Sequence, residues 1–402
     1  MEAGPNQQDR SIASDLPAIM AGIVATLISY AGPLVIIFQA SDGLPTATVA
    51  SWIWAISIGS GVLGIFLSLR FRVPVVIAWS APGSALLIPI LGVTDFSLAV
   101  GAYILANAII LVIGLTGMFD RVLRYLPGSV TAAMLAGILF RFVLELAGVL
   151  PEAPVLVLSM IVVFVAVRAL DPRYAVVAVL ATGCAVAALS GMLAGTVPQV
   201  ALVTPVFTMP TFELQALISI SIPLAVVALT GQFLPGFAVL EAAGYHEPAP
   251  RSVLSWCSGA SILLAPFGCH GLNLAALTAA ICTGPEAHAD PSRRWIAGIS
   301  GGVAYIVLGS FAGTVVALFA LLPAPLVAAL AGLALFPITA SSLANALRPD
   351  GSQDAALLTF AVSVSGITIL GLGSAFLGLV AGIAVHAIKV ALTRKSKTES
   401  KS

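Results

Sequence analysis

Two short segments carry the residues best placed to do chemistry. The first reads Pro74-Val75-Val76-Ile77-Ala78-Trp79-Ser80-Ala81-Pro82-Gly83-Ser84-Ala85-Leu86-Leu87, and the second Pro266-Phe267-Gly268-Cys269-His270-Gly271-Leu272-Asn273-Leu274-Ala275-Ala276-Leu277-Thr278. Both follow one plan: a Pro/Gly-punctuated extended piece, a residue able to cap a helix, then a short helix. Val75 to Trp79 has strand character, and Ala81-Pro82-Gly83 breaks it. Ser84 is expected to cap a helix running to about Leu91, and Asn273 to cap its counterpart. Helix starts of this kind present free N–H groups and the positive end of a dipole, which suits a small anion such as a carboxylate. His270 precedes the second helix and can change charge near neutral pH, so it is a candidate to carry a proton. The plainer alternative is two kinked helices without a ligand and a structural histidine.

Two more polar groups occupy matching places. Tyr30-Ala31-Gly32-Pro33 and Gln232-Phe233-Leu234-Pro235 align with an offset of 202, each polar residue one turn before a proline. Either side chain alone could simply hydrogen-bond a neighbouring helix.

The elements that must position these residues are membrane spans. The 402-residue chain is 59% apolar and 8% charged, with mean hydropathy +1.10 and formal net charge zero. So few charges cannot cover a soluble domain of this size, and the balance points to no nucleic-acid partner. Hydropathy places fourteen segments at 16–38, 49–69, 74–91, 97–118, 127–149, 154–170, 174–192, 215–240, 252–267, 269–283, 294–320, 324–347, 354–370 and 374–392. Segment 193–213, rich in Pro and Thr, reads as an external loop with extended structure. Arg10, Arg70, Arg72, Arg121, Arg124, Arg168, Arg173, Arg251, Arg293, Arg294 and Arg348 fall before the first segment and in alternate loops. Lys389, Arg394, Lys395, Lys397 and Lys401 close the chain. By the positive-inside rule both termini, 1–15 and 393–402, are then cytoplasmic. Leu126-Pro127-Gly128-Ser129-Val130-Thr131-Ala132-Ala133 returns as Leu322-Pro323-Ala324-Pro325-Leu326-Val327-Ala328-Ala329, 196 positions later. The copies start on opposite sides, which makes two inverted halves of seven segments with a site between them. The expected fold is an all-α polytopic membrane protein, 7+7, with short strands before half-helices in segments three and ten. Those half-helices would meet near the midplane.

Other features point to structure. Cys184, Cys257, Cys269 and Cys282 have no metal-ligand spacing and read as buried thiols. No HExxH, GxSxG or P-loop pattern occurs, so no enzyme, metal or cofactor is expected. Arg141, the only Lys or Arg well away from the ends of a segment, is four residues from Glu145, and an ion pair is expected. Gly309/Gly313 and Gly378/Gly382 are expected packing positions.

Ala78 to Leu87, the Gln232 helix and Cys269 to Thr278 resemble the BenE family of bacterial benzoate:proton symporters, over essentially the whole chain. BenE proteins are similar in architecture to uracil and xanthine permeases. The resemblance implies a core domain (16–118 and 215–320), a gate domain (127–192 and 324–392), a homodimer in the bacterial inner membrane and an elevator-like movement. Where nucleobase permeases carry acidic residues on segments eight and ten, this chain has Gln232 and His270, which would not repel a carboxylate. The resemblance therefore implies proton-coupled import of benzoate or a similar aromatic carboxylate. The carboxylate would bind at Ser84 and Asn273, helped by Ser80 and Gln232, with the ring against Tyr30 and Trp79 and the proton on His270. A nucleobase-like or inorganic-anion transporter, or an anion channel, on the same scaffold is the alternative.

Overall fold

A lipid-embedded backbone must satisfy its own polar groups, and this chain does so almost entirely as helix. The computed structural model describes residues 12–92, 94–193, 195, 199–348, 352–370 and 372–399; the rest of both termini lies outside the described residues. In chain order the first half comprises α1 (Ile12–Ala31), α2 (Pro33–Ala40), α3 (Thr46–Phe71), β1 (Ile77–Trp79), α4 (Ala81–Leu91), α5 (Phe96–Thr116), α6 (Phe119–Tyr125), α7 (Gly128–Gly148), α8 (Pro154–Leu170) and α9 (Ala175–Leu189). The second comprises α10 (Leu214–Ala228), a π-helical turn (Leu229–Phe233), α11 (Leu234–Ala242), α12 (Pro250–Leu264), β2 (Leu272–Leu274), α13 (Leu277–Thr283), α14 (Trp295–Ser310), α15 (Ala312–Phe319), α16 (Ala324–Ala346), α17 (Gln353–Ser365) and α18 (Ser374–Glu399).

Among the described residues, seven helical stretches are long and apolar enough to cross a membrane: Asp15–Ala40, Thr46–Phe71, Phe96–Thr116, Gly128–Gly148, Leu217–Ala242, Ala324–Ala346 and Ser374–Leu392. The stretch Pro291–Ser310 with α15, bent by 70°, makes an eighth if counted as one span. Helices α4, α8 and α9 are apolar but shorter. The chain is a multi-pass membrane protein. The other six segments that hydropathy outlines fall on shorter helices, α4, α8, α9, α12, α13 and α17.

The helices pack in two groups. In one, α14 lies against α1 and α3, and α5 against α10 and α12; in the other, α7 lies against α16 and α17, α17 against α18, and α16 against α8 and α9. Small residues permit the closest crossings: a Cβ on Gly309 would come within 2.6 Å of Ser57 Cβ. Gly378 and Gly382 are similarly enclosed, whereas Gly313 faces open space and is no packing position. The groups meet along a seam, α4 and α10 on one side, α7 and α18 on the other. Arg121, Arg124 and Arg348 flank one end of the α7–α16 pair, the basic end.

Residues 199–213 form no helix and run as a strap over the opposite end. Val203 N–H donates to the Ser310 carbonyl (2.9 Å), Thr208 N–H to that of Pro266 (2.7 Å) and Thr211 N–H to that of Ser97 (3.1 Å), while Val206 N–H donates to Ser51 Oγ (2.9 Å). These anchors all lie in the group built on α3, α5 and α14.

Strands β1 and β2 pair antiparallel across the two halves, Ile77 with Leu274, Ala78 with Asn273 and Trp79 with Leu272. Each strand is three residues long and fully buried. Pairing satisfies backbone groups that a break in a membrane helix would otherwise leave exposed to hydrocarbon.

Candidate binding site

Helix α4 starts earlier than its sequence suggests. Ser80 is the cap: its Oγ accepts the Gly83 N–H at 2.9 Å. Pro82 sits in the first turn, where a missing N–H costs nothing. Ala81-Pro82-Gly83 is thus a helix start and not a break, and Ser84 lies one turn inside, its hydroxyl donating to the Ser80 carbonyl at 3.0 Å. Asn273 does not cap either. It lies in β2 opposite Ala78, its Nδ2 donating to the Gly271 carbonyl at 3.3 Å, and α13 begins at Leu277 without a side-chain cap. Strand pairing with β1 holds Asn273 extended, which a view of the local sequence does not reveal.

His270 ties this region together. Trp52 Nε1 donates to His270 Nδ1 at 3.1 Å. An indole N–H can only donate, so Nδ1 is the acceptor and the neutral ring carries its proton on Nε2. Nε2 lies 3.0 Å from Ser84 Oγ and 3.3 Å from the Ser80 carbonyl oxygen. Because the Ser84 hydroxyl donates to Ser80, its oxygen is free to accept from Nε2. Asn107 Nδ2 donates to the His270 carbonyl at 3.2 Å, and the rings of Trp52 and Tyr103 stand 5.6 and 6.2 Å from the imidazole. The side chain is 1% exposed. Gly268, at φ +103°, makes this approach possible: a Cβ there would lie 2.8 Å from Trp52 Cβ.

A cleft of about 900 Å³ opens along the seam toward the basic end. One wall holds Pro82 in the first turn of α4, Gln232, and Ala276 just ahead of α13; the other holds Thr131, Ser342 and Arg348. Gln232 sits in the π-helical turn, where Leu234 N–H bonds back to the Leu229 carbonyl. Such a turn shifts the direction of the side chains after it and recurs at functional sites. Of the seven expected site residues, Gln232 lines the cleft. Ser80, Ser84, His270 and Asn273 lie buried behind the helix starts. Tyr30 and Trp79 form a buried triangle with Tyr305, ring centroids 5.8 to 6.1 Å apart, and Tyr30 Oη lies 2.6 Å from Ser57 Oγ.

Two smaller cavities continue along the seam beyond the closed stretch. One, of about 110 Å³, is lined by Leu86, Pro89, Ile138, Arg141, Phe142 and Glu145 among others. The other, of about 330 Å³, shares Pro89 and holds Asp95 and Glu213. Arg141 and Glu145 face the same cavity without closing into the expected ion pair. The guanidinium instead lies against Gly366, the left-handed residue ending α17, where a Cβ would sit 2.8 Å from Nη1.

Sequence reasoning missed Trp52, Tyr305, Thr131, Ser342 and the cleft position of Arg348. Thr131 had a signal, since it lies in the repeated Leu-Pro phrase. Trp52 and Tyr305 had none, being joined to the site by contacts more than 200 residues apart in sequence.

Known proteins share both sequence and fold with this chain. The BenE family model, described as benzoate membrane transport protein, matches residues 13–388. A benzoate membrane transport protein of Acinetobacter baylyi (strain ATCC 33305 / BD413 / ADP1) is 44% identical over 375 residues, covering 93% of this chain and 95% of that protein. The inner membrane protein YdcO of Escherichia coli (strain K12) is 40% identical over 368 residues, 91% of this chain and 94% of that one. Among solved structures, SLC26A9 matches with a TM-score of 0.62 at 15% identity, over 94% of this chain and 65% of the other. The transmembrane domain of the cyanobacterial bicarbonate transporter BicA matches with 0.60 at 14%, over 91% and 97%. These two likenesses show a shared transporter fold, and the family description and the Acinetobacter relative's name describe a membrane transport protein, not an enzyme. By the extent of the family match and the identity to its curated members, this chain belongs to the BenE family of benzoate membrane transport proteins.

Proposed function

We propose that this protein carries benzoate, or a closely similar aromatic carboxylate, into the cell together with a proton. The observation that carries this reading is the cleft from the basic end to Gln232 and the start of α4, between two separately packed helix groups. The likeness to the Acinetobacter benzoate membrane transport protein supports the substrate class. The YdcO likeness supports an inner-membrane location. The loop arginines support cytoplasmic termini and a cleft open to the cytoplasm.

In this reading the fourteen segments form two inverted halves of seven. Residues 16–118 and 215–320 are the moving core, 127–192 and 324–392 the gate, and the protein works as a homodimer. Gln232 donates its amide N–H to the carboxylate, beside the positive end of α4. Ser80, Ser84 and Asn273 hold the strand-and-helix starts that shape the site, and Tyr30 and Trp79 back it with an aromatic wall. His270 carries the proton. Its second proton must go to Nδ1, which holds the Trp52 N–H in this conformation, so proton uptake is tied to opening that bond.

The test is uptake of labelled benzoate into proteoliposomes under an imposed pH gradient, with uracil, sulfate and other aromatic acids as competitors. Uphill accumulation abolished by a protonophore is expected. Accumulation insensitive to the gradient refutes proton coupling, and competition by sulfate in place of aromatic acids refutes the substrate. That second outcome would favour an inorganic anion, the reading toward which the BicA-like fold leans.

A further inference from the structure

The seam carries a cation that the cleft does not use. On α7 one stripe at helical spacing runs the length of the helix. Thr131 and Leu135 line the large cleft, and Ile138, Arg141, Phe142 and Glu145 line the 110 Å³ cavity. On α4, facing it, Pro82 lines the cleft while Leu86 and Pro89 line the cavity. Cleft and cavity are thus two openings of one seam, closed between them where Leu135 and Ile138 are buried. The cavity in turn adjoins the 330 Å³ space holding Asp95 and Glu213 at the end away from the basic loops. An anion approaching from that end meets two carboxylates first, then Arg141.

Arg141 is the single Lys or Arg in the middle of an expected segment; Arg168, Arg294 and Lys389 lie within three residues of a segment end. A cation at this depth costs about 2.5–3.5 kcal/mol on insertion scales, which marks it as functional by default. The C-terminal end of α17 at Gly366 offsets part of its charge. That contact gives Arg141 a structural role but does not satisfy its fork of donors: among the described residues no hydrogen bond or ion pair engages the guanidinium. The donors share a cavity with Leu86, Ile138 and Phe142, which offer an apolar surface to a ring. A guanidinium matches a carboxylate in a two-point geometry that an ammonium does not.

We propose that Arg141 is a carboxylate-receiving site on the outer side of the seam. When that side opens, the guanidinium takes the carboxylate of the arriving aromatic acid, in competition with Glu145, before it passes to the site at Gln232. The proposal rests on the transport reading above, and adds a second subsite of opposite polarity to the outer vestibule.

The experiment compares the half-saturation of benzoate uptake with that of benzoate efflux in proteoliposomes of one orientation, for the parent, Arg141→Gln, Arg141→Lys and Glu145→Gln. Losing a charged hydrogen-bond partner should raise the uptake value of Arg141→Gln roughly ten- to hundredfold. Efflux half-saturation should stay within about twofold, since cytoplasmic benzoate reaches Gln232 without passing Arg141. Arg141→Lys should fall between, keeping charge but losing the fork, and Glu145→Gln should lower the uptake value by removing the competitor. An equal rise in both directions would assign Arg141 to folding or to the shared site and overturn the proposal. Should Arg141→Gln not fold, unchanged uptake half-saturation in both Arg141→Lys and Glu145→Gln overturns it. A parent that moves no benzoate refutes the transport reading instead; a parent that does, with Arg141→Gln unaffected, refutes only this one.

Discussion

The Trp52–His270 bond is open to a direct energetic test. Trp52→Phe removes the only donor to His270 Nδ1 among the described residues and leaves that lone pair buried, in a residue 1% exposed. An orphaned buried acceptor costs about 1–3 kcal/mol. The smaller ring adds a cavity cost that would confuse a single measurement, so the comparison must cancel it. His270→Leu removes the acceptor. In that background Trp52→Phe opens the same cavity but orphans nothing, and should cost at least about 1 kcal/mol less than in the parent. Denaturation of the purified protein in lipid-like detergent, for the parent, both single variants and the double variant, closes the cycle. If Trp52→Phe costs the same in both backgrounds, within the roughly 0.3–0.5 kcal/mol over which distant sites add, the bond contributes nothing. The tautomer assigned to His270 would then be wrong, and so would the idea that proton uptake must displace Trp52.

Other perturbations read other parts of the design. Gln232→Leu should raise the benzoate half-saturation roughly ten- to hundredfold in both directions, the worth of one hydrogen bond to a charged group, as measured by uptake and efflux assays. His270→Leu should leave benzoate exchange at equal pH measurable while abolishing accumulation driven by a pH gradient, as read in proteoliposomes. Gly366→Ala places a side chain at φ +69° and against Arg141, and should destabilise the protein by about 1–2 kcal/mol from backbone strain alone. Asp15 accepts two hydrogen bonds from Arg293, at 2.7 and 2.6 Å, tying the start of α1 to the turn before α14. Asp15→Asn should therefore lower thermal stability by at most about 1 kcal/mol, a difference that added salt should shrink.

Hydrophobic runs and arginine spacing made the helices legible, because membrane burial writes itself into composition. The two broken segments were legible too, since Pro and Gly interrupt them in matching places. Their detail was not. Ser80 and Ser84 are equally good caps on paper; the choice fell to Ser80 because Pro82 fits a first helical turn. Asn273 looked like a cap until a strand from the other half claimed it. Gln232 was singled out for its place before Pro235, yet the π-helical turn that brings it to the cleft leaves no mark in a hydropathy profile. Arg141 and Glu145 have ideal spacing for a pair, and only the packing of Gly366 against the guanidinium shows where the arginine goes. For Asn273 and Arg141, what the sequence hides is a partner distant along the chain.

The pairing of β1 with β2 sets a limit on how this protein can work. The two broken segments belong to opposite halves, yet their strands are hydrogen-bonded to each other and His270 is pinned to Ser84. A machine that opened by drawing its two halves apart would have to break those buried hydrogen bonds on every cycle. The elevator-like movement proposed above would leave the joint intact and carry it as one piece past the gate. Cargo held beside it would then ride with the joint, and the barrier would change sides around it.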